Sequence, residues 1–236
     1  LYAGDTGNAV KYANDVIDRA SRFFPFATRE QVNGQATSGS ANTSAEDRIF
    51  SSEILFGNYH SKRTTDIFDK IFSYKLEAKN VLKMSDYGIS QLYEDDGDLR
   101  KCQWQTQRDT EGNVGQFFVK YGDVTDNGFE FAKLLPMIRM SEMYLIKAEC
   151  TKDYKALNPI RKARNIPQLK SNIGLNGYIE DEYVREFIGE GQLFWYYKRK
   201  GITSIPRLYN PNLQDMQITN STYVFDLPDS EQQLRK

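Results

Sequence analysis

Apolar residues at three- and four-residue spacing mark the first element of the chain. Ala9, Ala13, Val16, Ile17 and Ala20 recur with helical period behind Asp5 and Thr6, both good N-cap types. Phe23-Phe24-Pro25 closes this helix, because proline cannot continue it and pushes the residue before it towards extended geometry. Residues 33–45 are rich in Gly, Ser, Thr and Asn with no apolar face, which predicts a loop. Ile49 to Phe56 reads as a short extended, buried segment. From Tyr59 to Phe131 the pattern loses its period: aromatics are scattered, and acids cluster at Glu94-Asp95-Asp96-Gly97-Asp98. Such a stretch is either functional surface or a series of short elements.

Helical spacing returns at Pro136, with Ile138, Ser141, Leu145 and Ala148, so a helix is predicted over 136–149. A second helix is predicted from Asn158-Pro159 to just before Pro167, close enough to the first for an antiparallel pair. A third runs from Ile179 to Gly189, with Glu180, Asp181 and Glu182 near its N-terminus, where the helix dipole favours anions. Beyond Gly201, prolines at 206, 211 and 228 predict a loop-like tail. The fold class is therefore all-α, mostly helical, with an irregular, loop-rich middle.

Charge narrows the choice of partners. The 236 residues carry 31 Lys+Arg against 32 Asp+Glu, a formal net charge of −1, so no cationic surplus exists to displace phosphate counterions. Nucleic acid is therefore not an expected partner. Aromatics reach 13 %, with 15 Tyr, 14 Phe and 2 Trp, which points towards rings used as contact surface as well as core. No apolar run approaches the roughly 18 residues of a spanning helix. Cys102 and Cys150 form no C-x-x-C pair, so structural zinc and dithiol redox chemistry lack support, while a disulfide between them stays open.

The search for catalytic chemistry finds little. His60 is the single histidine and has no partner at a recognisable spacing, which leaves a serine triad without its base. Cys102 lies beside Arg100 and Lys101, whose charges could lower a thiol pKa, but no base accompanies it. Glu142/Glu149 and Glu182/Glu186 share helix faces with Lys147, Arg185 and Lys198, the usual arrangement of a solvated or ion-paired face. The 94–98 acids fail the calcium-loop test, since no Glu falls where a twelfth-position ligand belongs. No cofactor, metal site or catalytic set is expected.

Four ordered segments resemble motifs of the SusD/RagB family, the surface glycan-binding lipoproteins of Bacteroidetes. IEDEYVREFIGEGQLFWYYKR over 179–199 is similar to the family's acidic helix, Gly-Glu-Gly turn and aromatic run. Residues 135–149 resemble its Arg-x-x-Glu-x-Tyr-Leu-x-x-Ala-Glu helix, 157–167 its Leu-Asn-x-Ile-Arg helix, and 223–231 its closing motif, although Asp226 stands where a proline is common. Residues 9–19 and 95–100 also resemble family segments, a tetratricopeptide-type helix and an Asp-Asp-x-Asp-x-Arg turn. Physically these motifs read as structural: Arg139 and Glu142, one turn apart, could lock the helix pair. Gly189 and Gly191 suit a helix exit or close packing, and Trp195, Tyr196 and Tyr197 suit the core.

The resemblance implies tetratricopeptide-like helix pairs and a non-enzymatic, cell-surface protein. It would bind a glycan or oligosaccharide and work with a TonB-dependent SusC-like transporter at the outer membrane. Family members also carry a signal peptide, a lipidated cysteine as membrane anchor and further repeats, so residues 1–236 read as the C-terminal part of a single domain. The first helix would then need a preceding helix to cover its apolar face. Two alternatives remain: a helical-repeat adaptor without glycan affinity, and a glycoside hydrolase, which needs two acids facing across a cleft. Sugar stacking needs exposed rings on loops held by a rigid scaffold. The middle supplies Tyr59, Tyr87, Tyr93, Trp104 and Tyr121, of which Trp104, Tyr93 and Tyr59 are the ligand-binding candidates.

Overall fold

A computed structural model describes residues 1–34, 46–122, 130–206, 214–225 and 228–234. The predicted loop at 33–45 falls almost wholly outside these residues. The first helix, α1 (Thr6–Ala20), forms as its periodicity requires, with the Asp5 carboxylate accepting from the Asn8 amide. A one-turn helix, α2 (Arg29–Asn33), opens on a reciprocal Thr28/Gln31 capping box.

The prediction of a helix from Pro136 onwards is corrected. Residues Leu134–Arg139 form a strand, β5, paired antiparallel with β1 (Ile54–Tyr59) so that Pro136 lies opposite Gly57. In a two-stranded sheet each strand has a free edge, where a proline costs no ladder hydrogen bond. The helix α4 starts only at Met140 and runs to Thr151. A two-residue turn, with Lys152 left-handed, leads into α5 (Tyr154–Ala163). That helix begins earlier than predicted because Asp153 caps it, and it carries Pro159 in its interior. The two helices pack together as expected, and α1 and α6 (Leu175–Phe187) also pack on α4. Apolar residues on every side of α4 suit this central place.

The chain is mostly helical, as expected, but it is not all-α: seven strands accompany the helices among the described residues. The middle region condenses around an antiparallel sheet of order β2-β4-β3: β2 (Lys83–Met84), β3 (Trp104–Arg108) and β4 (Val114–Phe118). A π-helical stretch (Thr64–Phe72) and a short helix α3 (Asp86–Leu92), capped by Ser85, flank it. Single-sequence periodicity missed β3 because Trp104 is its only apolar residue, followed by Gln105, Thr106, Gln107 and Arg108. The tail is not purely loop. After α7 (Gln192–Lys200) it forms a two-residue pair, β6 (Ser204–Ile205) with β7 (Met216–Gln217), and ends in α8 (Asp229–Leu234).

Candidate functional site

The middle-region rings divide sharply by burial. Trp104 is only 6 % exposed and Tyr93 1 %; the Trp104 indole N–H donates to the Tyr93 hydroxyl at 3.1 Å. Trp104 also packs edge-on against Phe118, with centroids 5.0 Å apart. Burial drives the Tyr93 pKa well above its ordinary value, and Tyr121 is buried in the same cluster. Trp104 and Tyr93 are thus corrected from ligand platforms to core: the pleat that points Gln105 outward points Trp104 inward, and a buried ring offers no face to a sugar. Tyr59, at 52 % exposure, and Tyr87, at 49 %, remain on the surface. The Lys133 ammonium lies 6.0 Å from the Tyr59 centroid. Burial pushes the Cys102 thiol up to about 12 against the weaker pull of Arg48, and both cysteines are free. No cluster of potential metal ligands occurs among the described residues.

The motif residues converge elsewhere, in a buried ionic network. Glu186 of α6 accepts from Arg164 (2.7 Å), Arg139 (2.8 Å) and Arg100 (3.1 Å). Arg164 also clamps both oxygens of Glu53 at 2.6 and 2.8 Å. Arg100 joins Glu182 (2.6 Å) to Asp98, while Arg139 reaches Glu190, whose other partner is Lys120. Burial alone would raise the Glu186 pKa, but Arg164 and Arg139 outweigh it and hold the carboxyl well below its usual range. Burial likewise works against the charge of Arg164, and Glu186 and Glu53 overcome it, raising the pKa. The proposed Arg139–Glu142 lock is corrected: Arg139 turns towards α6. Glu142 instead enters an apolar groove between α1, α4 and α7, where burial pushes its carboxyl up to about 7.

The signature glycines do what close packing demands. Gly189 has φ +74°, and a Cβ there would overlap the Phe118 ring. Tyr196 is buried and stacked on Tyr183 at 4.1 Å, as expected of the aromatic run. Trp195 departs from that expectation, being 47 % exposed on the same apolar groove. That groove is also lined by Ala9, Ala13 and Val16 of α1, of which Ala9 and Val16 are half-buried, whereas Ile17 is buried away from it.

A cleft of about 690 Å³ opens between α3, α6, α7 and the β6–β7 pair. Its base is tied by Arg185, whose Nε donates to the Leu92 carbonyl at 2.6 Å, joining α6 to the end of α3. Tyr87 and Gln91, one turn apart on α3, form one wall; Asp181 and Glu180 of α6 face it, with Val184 and Ile188 as apolar floor. Burial raises the Asp181 pKa despite the pull of Arg185. Lys83, at the rim, is held by Asp109 at 2.8 Å. An exposed ring, an apolar strip and a polar rim suit a ligand with both C–H faces and hydroxyls.

Comparison with known proteins agrees with the motifs. The SusD family model matches residues 28–235, and the chain belongs to that family. A SusD superfamily protein from Bacteroides thetaiotaomicron superimposes with a TM-score of 0.70 at 22 % identity, over 98 % of this chain and 55 % of its own. A SusD-like carbohydrate binding protein from Bacteroides vulgatus gives 0.67 at 17 % identity, over 99 % of this chain and 55 % of its own. Surface glycan-binding protein A from Bacteroides thetaiotaomicron, in complex with laminarihexaose, gives 0.65 at 17 % identity, over 100 % and 59 %. The chain thus spans little more than half the length of these structures. No curated protein matches it by sequence.

Proposed function

We propose that this chain belongs to a non-enzymatic, cell-surface glycan-binding protein of the outer membrane, which passes oligosaccharide to a TonB-dependent SusC-like transporter. The family match over residues 28–235 carries the reading. Residues 1–236 would form the C-terminal part of a larger domain, consistent with the length of the structural relatives and with the half-covered face of α1. The glycan would lie in the α3–α6–α7 cleft, with Tyr87 as the stacking ring and Gln91 and Asp181 pairing with hydroxyls. Tyr59 remains a second surface ring for the same glycan. A structural role for the buried acids supports this reading: the four glutamates whose side chains are fully buried, at 53, 182, 186 and 190, are each held by guanidinium or ammonium groups.

The test is affinity-gel retention of the full-length protein on neutral polysaccharides, with Tyr87→Ala as the discriminating variant. Retention that falls in the variant while its circular dichroism is unchanged supports the cleft. Wild-type protein retained by no glycan overturns the function, and unchanged retention in Tyr87→Ala removes the ring from the site.

A further inference from the structure

The outward face of the β2-β4-β3 sheet carries a second cleft that the reading above does not use. It encloses about 360 Å³ and is lined by Gln105 and Gln107 of β3, Tyr74 and Lys75 of the segment that crosses the sheet, Asp69 of the π-helical stretch and Arg48. At the small end of the range for small-molecule pockets, it has room for a single sugar unit rather than a chain.

Register explains why these groups share a face. Gln105 pairs with Phe117 and Gln107 with Gly115, and the Tyr74 ring meets Phe117 edge-on at 6.2 Å. Tyr74 therefore walls the cleft over Gln105, while Gly115 leaves the sheet low opposite Gln107. Side chains at successive outward positions stand about 6.7 Å apart, close to the span of one pyranose with its hydroxyls.

The hydrogen-bonding capacity of this face is unspent. Gln116, which points to the other face, donates to Asp86 and Thr106, and the buried Gln103 donates to the Arg48 carbonyl. Gln105, Gln107 and Asp69, by contrast, have no side-chain hydrogen bond or ion pair among the described residues. An amide both donates and accepts, as a hydroxyl does, so two free amides match a polyol better than an ion. Charge points the same way: Asp69 offsets Lys75, and Arg48 is already paired with Glu46 at 2.7 Å.

We propose that this cleft is a second carbohydrate site that takes one neutral sugar unit, with Gln105 and Gln107 pairing with hydroxyls on opposite edges of the ring. It rests on the glycan-binding reading for its biological sense, but stands on different residues from the α3–α6–α7 cleft. A protein with two separated sites would hold a long polysaccharide by avidity.

The experiment is a titration of glutamine-labelled full-length protein, following side-chain amide signals by heteronuclear NMR. The Gln105 and Gln107 signals are assigned by their loss in Gln105→Leu and Gln107→Leu. The probes are the methyl glycosides of glucose, galactose, mannose and xylose, with methyl glucuronide as the anionic control. Both signals should shift with at least one neutral glycoside, and should still do so in Tyr87→Ala. Polysaccharide retention should drop several-fold in the double Leu variant. Signals that stay fixed while wild-type protein is retained by polysaccharide overturn this proposal alone. Stronger shifts with the glucuronide overturn the neutral class. Shifts without any retention leave the cleft and its ligand class standing and remove the glycan-uptake reading, whereas neither response removes both.

Discussion

Two regions of this molecule concentrate the residues that bind ligands in other proteins, and they use them in opposite ways. In the network around Glu186, charged side chains from six separate stretches of chain point at one another and leave nothing for a ligand. In the clefts beside α3 and over β3, Tyr87, Gln105 and Gln107 face solvent. The motif-bearing segments build the first region and supply one wall and the floor of the α3–α6–α7 cleft. Arg164 and Arg139 lie over the rings of Phe50 (4.0 Å) and Phe187 (5.2 Å), and Gly189 abuts Phe118. The network thus sits where the three apolar clusters meet. Recognisable sequence here reports mostly scaffold, and Tyr87, Gln91, Gln105 and Gln107 of the clefts lie outside it.

The sharpest way to break this contrast is to remove a hub cation. Arg164→Leu removes the bidentate partner of Glu53 and one of the three cations on Glu186, and should cost about 3–5 kcal/mol in denaturant unfolding. A cost near zero would mean that the network does not hold the fold. Acid titration probes the same point: the depressed Glu186 pKa contributes stability that is complete above the unfolded value near 4.5 and lost as pH falls towards the folded one. Stability should therefore begin to fall below pH 4.5.

Trp104→Phe should cost about 1–3 kcal/mol, since it leaves the Tyr93 hydroxyl buried without its donor. Glycan retention by the folded variant should be unchanged; a loss of retention would return Trp104 to the ligand surface. Glu142 gives the reverse pH signature. Its folded pKa, about 7, lies above the unfolded value, so the stability it confers is complete below pH 4.5 and lost as pH rises to 7. Glu142→Gln should flatten that decline and gain on the order of 1–3 kcal/mol at pH 8, read from thermal unfolding.

The surface rings should show the smallest effects, and only in binding. Tyr87→Ala should weaken oligosaccharide affinity about fivefold, the worth of one ring contact, with stability unchanged to within about 0.5 kcal/mol. Tyr59→Ala should weaken it about twofold, because Lys133 already lies towards its ring. Calorimetric titration that ranked Tyr59 above Tyr87 would move the main site from the α3–α6–α7 cleft to the β1–β5 sheet.

The sequence alone determined the family, the helices with a clean period and the structural character of the motifs. Local physics sets each of these: α1 is legible because its cap and apolar stripe lie within one short window, and α6 because its periodicity spans several turns. The short strands were not legible. β5 owes its state to a partner dozens of residues away and β3 to the hairpin it forms with β4, and Pro136 is compatible with a helix start or a free strand edge until β1 arrives beside it. The exposure of individual rings was equally hidden. Trp104 and Gln105 are neighbours in sequence and face opposite sides of one sheet, and only the docking of Tyr93 and Phe118 decides which side is core. The same holds for the charges, whose partners stand up to 111 positions apart. Only the tertiary structure, by excluding water from one set of polar groups and leaving another wet, separated the residues that hold the protein together from those free to bind.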